Sequence, residues 1–261
     1  MLTMTGLQIE QYMAIFMFAS LRVFGLFLTA PMLSFRTLPM QFRLFIALAF
    51  GVYVMPMITN EIIPSPGSIT FFASVIELCI GAFIGFAIRI GFMVIDVASE
   101  VLSFQSGFSF AATNFRDPNL ESGLVGQLLG MIALALSFSL NIHLVLIDIV
   151  LGSFKTIPVG TWPSAWTALG VVDLVSASFR LGLILSMPVF LVYMMFNLTQ
   201  AFLGRTSPQM NLFSVGFAIS IPLAFMVIFM ILPDLKIVLE RSLENPLQLI
   251  RQGVEIPNAR N

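Results

Sequence analysis

A chain of 261 residues that is 58% hydrophobic and only 10% charged, with a mean hydropathy of +1.00, reads as an integral membrane protein, because an ordinary soluble domain carries about 25% charged residues. A net charge of −1 supplies no basic field for nucleic acid. One cysteine and one histidine exclude an internal disulfide and the usual zinc clusters.

Taken in chain order, the apolar runs predict about six long, kinked helices or helical hairpins and an all-α fold. They fall at 10–33, 42–59, 70–112, 120–151, 174–203 and 211–232, the third of them broken. The uncharged runs 122–147, 181–204 and 206–233 span 26, 24 and 28 residues, more than the roughly 20 that cross a hydrocarbon core. Residues 1–10 lack the basic region of a secretory signal peptide, so the first apolar run is expected to be retained in the membrane. Pro31 and Pro39 bracket a connection with Arg36 and Arg43, and Pro64-Ser65-Pro66-Gly67 marks a turn. A loop at 156–172 holds both tryptophans, while Pro56, Pro188 and Pro222 kink the helices that contain them.

From 234 an amphipathic, cytoplasmic tail is expected, set apart from a single membrane domain over 1–233. It has Leu235, Val238, Leu239 and Ser242 on one face and a second short helix starting at Pro246. Lys and Arg concentrate on the cytoplasmic side of membrane proteins, and here they mark both the first connection and the tail. Six full crossings would put those two on opposite sides, so 70–112 is expected not to cross, with an outside N-terminus. Only three tyrosines and two tryptophans accompany 27 phenylalanines, leaving too few for the usual aromatic belts at the two interfaces.

Seven charges interrupt the apolar sequence: Arg22, Glu77, Arg89, Asp96, Glu100, Asp148 and Arg180. Together at a bilayer centre they would cost on the order of 20 kcal/mol, so they must be paired, displaced from the midplane or held in protein. Glu77, Gly81, Gly85 and Arg89 repeat every fourth residue on one helix face. The two glycines admit another backbone, and Gly126 and Gly130 repeat the device. Glu77 and Arg89 stand about 18 Å apart along a helix and cannot pair with each other. A crowded face with a charge at each end reads as an interface.

Tyr193, Asn197, Gln200 and Gly204 make a polar stripe, either hydrogen-bonding glue between helices or the lining of a wet path. Asp96 and Glu100, one turn apart, fit a proton relay or a solvated, salt-bridged pair. His143 reads as a hydrogen-bonded packing residue. With no His-Glu-x-x-His, phosphate loop or Gly-x-Ser-x-Gly elbow, no catalytic residue, metal or cofactor is expected.

Two passages carry a family pattern. One runs through Glu100, Gln105, Gly107 and Ala111 to Asp117-Pro118; the other is Asn197 followed by Gly204-Arg205 and Pro208-Gln209-Met210-Asn211, ending at Phe213 and Gly216. With Arg22, Gly25, Pro31, Pro39, Arg43 and the segment Ser153 to Pro158, the whole chain resembles the flagellar branch of the FliR/SctT family of type III secretion export-gate proteins.

The resemblance implies a subunit of a helical hetero-oligomeric gate in the bacterial inner membrane, at the base of the flagellum. FliP-like and FliQ-like subunits and an FlhB-like protein are the implied partners, and unfolded flagellar proteins are the cargo. Much of such an assembly sits above the membrane plane, where buried charges and a missing aromatic belt are no longer anomalous. The residues expected at subunit interfaces are Arg22, Glu77, Gly81, Gly85, Arg89, Asn197, Gln200, Arg205, Pro208, Gln209 and Asn211. The family's channel plug maps onto Gly107, Phe108, Ser109, Phe110 and Ala111, continuing through Phe115 to Pro118; an ordinary packed helix end is the alternative. The injectisome branch of the same family is an alternative within the resemblance; a proton-coupled transporter using Glu77, Asp96, Glu100 or Asp148 is the competing reading, and it predicts an internal pseudo-symmetry that the chain lacks.

Overall fold

Apolar runs this long satisfy their backbone only by coiling, and long helices result. The computed structural model describes residues 6–32, 39–54, 71–107, 124–206 and 212–255. They form α1 (Gly6–Thr29), α2 (Met40–Val54), α3 (Phe71–Ser106), α4 (Leu124–Ser139), α5 (Ile142–Thr156), α6 (Ala168–Thr206) and α7 (Leu212–Glu255). No strand occurs among the described residues, and the chain is an all-α integral membrane protein. Stretches long and apolar enough to cross a membrane lie at Tyr12–Thr29, Phe71–Ser106, Ala168–Thr206 and Ala218–Val254. The bent pair α4 and α5 adds a fifth if it counts as one span.

Three helices outrun a bilayer. With 36, 39 and 44 residues, α3, α6 and α7 are about 54, 58 and 66 Å long. A hydrocarbon core is only about 30 Å thick, so a good part of each helix lies beyond it.

Within the run expected at 70–112, α3 continues without interruption to Ser106 and turns at Gly107, with φ 78°. The run expected at 120–151 is itself broken between α4 and α5, where Asn141 adopts φ 56°. Asparagine tolerates this left-handed conformation as few other residues do, whereas the α3 glycines are held helical by the helix packed on them. Positions 233 and 234 both lie inside α7, which passes Pro222, Pro233 and Pro246 and continues to Glu255.

The chain divides into two units: Met1–Ile90 with Ser137–Leu174 and Glu244–Asn261, and Gly91–Leu136 with Val175–Leu243. In the first, α2 packs on α1, where Ser20 Oγ fills the place of a Cβ at Gly51. The start of α3 lies along α1, with Ala14, Phe18 and Ala73 clustered and Val159 against them. In the second, Gly182 of α6 meets Val94 and Val97 of α3. The Ser242 hydroxyl of α7 donates to the Gly91 carbonyl of α3 at 2.6 Å.

Candidate functional site

Small residues bring α1 and α3 together. A Cβ at Gly81 would fall on the Arg22 carbonyl, and one at Gly25 on the Leu78 carbonyl and 2.7 Å from Ala82 N. At Gly85 it would stand 2.7 Å from Ala30 N. The Thr29 hydroxyl donates across the seam to the Ala82 carbonyl at 2.8 Å. Backbones this close leave room beside them for one large polar pair.

That pair is Arg22 and Glu77. Arg22 Nε donates to Glu77 Oε2 at 2.7 Å, and both side chains are wholly buried. Arg22 Nη1 donates to Ser153 Oγ of α5 at 2.9 Å, and that hydroxyl donates in turn to the Val150 carbonyl at 2.6 Å. The second carboxylate oxygen, Glu77 Oε1, accepts the Gly160 N–H at 3.0 Å. The guanidinium lies 4.3 Å from the centre of the Phe154 ring, while Nη2 makes no hydrogen bond. Cation and anion cancel, four of the pair's five side-chain polar atoms are hydrogen-bonded, and an aromatic face covers the guanidinium.

From this node a strap, 157–167, runs to the C-terminal end of α7. Gly160 has φ 78° at one end of it. At the other, Trp166 stacks on Phe83 with ring centres 4.7 Å apart, and Trp162 meets both rings edge-on. Trp166 Nε1 donates to the Leu249 carbonyl at 3.2 Å, and a Cβ at Gly253 would run into the indole. The last turns of α7 therefore belong to the same packed unit as α1 and the start of α3.

Four residues expected at subunit seams are thus committed inside the chain. Arg22 and Glu77 expose no surface, and Gly81 and Gly85 are covered by α1. Glu77 finds its partner not at Arg89 but on another helix of the same chain. Gly130, expected to admit a backbone, has nothing within 4 Å of a Cβ built on it. His143 also differs from expectation: its buried Nδ1 makes no hydrogen bond, and the ring leans on Phe138 at 5.1 Å. Arg89, Asp96, Glu100, Asp148 and Arg180 are exposed on the isolated chain.

The second unit holds the polar stripe. Tyr193 is buried and its hydroxyl donates to the Ser220 carbonyl at 2.8 Å; the Ser220 hydroxyl donates to the Ser106 carbonyl, also at 2.8 Å. The Gln200 amide rests on Gly216, where a Cβ would come within 2.8 Å of its nitrogen. Asn197 and Arg205 are exposed. Gly107 has φ 78°; Phe108, Ser109, Phe110, Ala111, Phe115, Pro208, Gln209 and Asn211 lie outside the described residues. Sequence reasoning assigned no role to Ser106, Gly160 or Ser220. For Ser153 a signal existed, its place in the Ser153 to Pro158 segment of the family pattern. Ser106 and Ser220 are unremarkable serines in apolar helices and carry no local signal.

The family model described as "Bacterial export proteins, family 1" matches residues 13–245. The chain belongs to this family. The matched span contains the Arg22–Glu77–Ser153–Gly160 node and the Tyr193–Ser220–Ser106 chain of hydrogen bonds. It stops short of Leu249 and Gly253, the residues that meet Trp166. This export-family member is similar to the flagellar biosynthetic protein FliR of Escherichia coli (strain K12), 29% identical over 236 residues that cover 89% of this chain and 90% of that one. It is similar also to FliR of Caulobacter vibrioides, 28% identical across 88% and 92% of the two chains. FliR of Bacillus subtilis (strain 168) is 26% identical across 90% and 93%.

Proposed function

We propose that this chain is a structural and gating subunit of the flagellar type III protein export channel. In this reading it assembles with FliP-like and FliQ-like subunits, joined by an FlhB-like protein, in the bacterial inner membrane at the flagellar basal body. Unfolded flagellar proteins pass through the assembly. The chain performs no catalytic step and holds no cofactor, so the energy for export comes from other components.

The observation that carries this reading is near full-length similarity to proteins named flagellar biosynthetic protein FliR, within a family of bacterial export proteins. The surface supports it. Only 28% of the apolar window of α6 and 33% of that of α7 is buried, against 61% for α3. The exposed charges Arg89, Glu100 and Arg180 sit on helices longer than a bilayer needs. Such charges are expensive against lipid and tolerable against protein that pairs them. Arg89, Asn197, Gln200, Arg205, Pro208, Gln209 and Asn211 are the proposed contacts with neighbouring subunits, and the segment from Gly107 through Phe115 is the proposed plug. The transporter reading is weakened at its first candidate carrier, since Glu77 is held in an ion pair with no exposed surface.

The test is purification of the tagged chain in mild detergent, expressed with its neighbouring genes, followed by native mass spectrometry. A defined complex with FliP-like and FliQ-like chains is expected. A stable monomer or homodimer, from cells that still assemble flagella when the gene is deleted, overturns the proposal.

A further inference from the structure

We infer that the groove between α2 and α5 receives one apolar membrane helix of a different subunit, a helix that carries a lysine or arginine opposite Asp148. This deepens the subunit reading above and rests on it.

The second helix, α2, packs on α1 but buries one narrow edge of Ala47, Gly51 and Val54. Its opposite face carries Phe42, Phe45, Ala49 and Tyr53 at spacings of three and four, which keep residues on one side of a helix. Phe45 is 71% exposed and Tyr53 57%. Phe45, Ala49 and Tyr53 of this face, with Ile147 and Leu151 of α5, enclose an apolar groove of about 500 Å³. Both walls are 15-residue helices, about 22 Å long. That length accepts about four turns of a docked helix.

Apolar walls alone would suit lipid tails as well as protein. Asp148 separates the two. It is the seventh residue of α5, next to Ile147 at the rim of the groove, and it is exposed. Among the described residues it has neither an ion pair nor a hydrogen bond. Lys155 lies two turns further along α5, and Arg251 belongs to the last turns of α7, which reach Gly152 through Val254. Neither forms an ion pair with Asp148. A carboxylate among lipid tails stays unpaired and costly, whereas a base on a packed helix neutralises it. Two copies of this chain, inserted the same way round about a two-fold axis along the membrane normal, would set Asp148 against Asp148. The complementary occupant is therefore a helix of another kind of chain, apolar over about four turns and interrupted by one base.

The experiment uses the full chain in cells with the rest of the export machinery. The photo-crosslinking residue p-benzoylphenylalanine takes the place of Phe45, and the adduct is identified by mass spectrometry. A cross-link to one other chain is expected, at an apolar segment that contains a lysine or arginine. Asp148→Lys is expected to lower its yield at least about tenfold at equal chain in the membrane, since removing one partner of a buried interfacial charge pair loosens binding by that much or more. Asp148→Glu is expected to keep the yield, and exchanging the partner's base for glutamate is expected to restore it beside Asp148→Lys. If Asp148→Lys does not accumulate, Asp148→Asn, which changes little in shape, decides by the same fall. An adduct with lipid alone, with a second copy or within the chain overturns the inference, and so does a yield indifferent to Asp148. Native mass spectrometry of the same preparations keeps the two readings apart. A complex with FliP-like and FliQ-like chains beside any of those results leaves the proposed function standing, and a parent chain that forms no complex overturns both.

Discussion

Arg22 and Glu77 stand 55 positions apart and meet at 2.7 Å with neither side chain exposed. Two charges that neither lipid nor an apolar core would accept alone become one neutral unit where α1, α3 and α5 meet. The carboxylate's second oxygen ties the strap at Gly160 into the same unit.

Removing one partner leaves the other charged and buried. Glu77→Ala is expected to destabilise the chain by about 3–5 kcal/mol, and replacing both partners, Arg22→Met with Glu77→Leu, by less than either single change. Thermal unfolding in detergent measures all three. A double variant less stable than both singles would contradict the pairing.

Glycines 81 and 130 are predicted to respond with opposite signs to the same change. Gly81→Ala drives a Cβ onto the Arg22 carbonyl and is expected to cost about 1–3 kcal/mol as α1 and α3 separate. Gly130→Ala adds a methyl where nothing lies within 4 Å, and it is expected to gain about 0.5–1 kcal/mol of helix stability. Chemical denaturation of the two purified variants gives the signs directly.

Both tryptophans of the chain lie in the strap, so selectively excited tryptophan fluorescence reports on that segment alone. Truncation after residue 243 removes Leu249 and Gly253 from Trp166 and is expected to shift emission to the red. Trp166→Phe keeps most of the stacking on Phe83 and loses the bond to Leu249, at about 1 kcal/mol. Unchanged emission in the truncated chain would mean that the end of α7 does not cover the indole.

Replacing 107–115 with Gly/Ser is expected to make the membrane leak ions in cells with an assembled export apparatus. Dye depolarisation measures it, and an unchanged, tight membrane counts against the plug.

The polar stripe shows how far local pattern reached. Spacing placed Tyr193, Asn197, Gln200 and Gly204 on one face, and hydrogen-bonding glue describes Tyr193, whose hydroxyl is buried on Ser220. Asn197 stays exposed on the isolated chain. Periodicity identifies a face but not how deep each of its residues will lie, because depth depends on where the neighbouring helix crosses.

By itself the sequence determined the all-α membrane class, since uninterrupted apolar runs leave the backbone no partner but itself. It also determined that the small-residue face of α3 would be packed and that Glu77 could not reach Arg89, because both follow from the rise and pitch of one helix. Tertiary structure alone decided that Arg22 would answer Glu77 and that the end of α7 would return to Trp166. Each of these joins residues far apart in the chain. Such pairings depend on which helix faces meet in space, and a one-dimensional pattern of apolar and polar residues does not contain that choice.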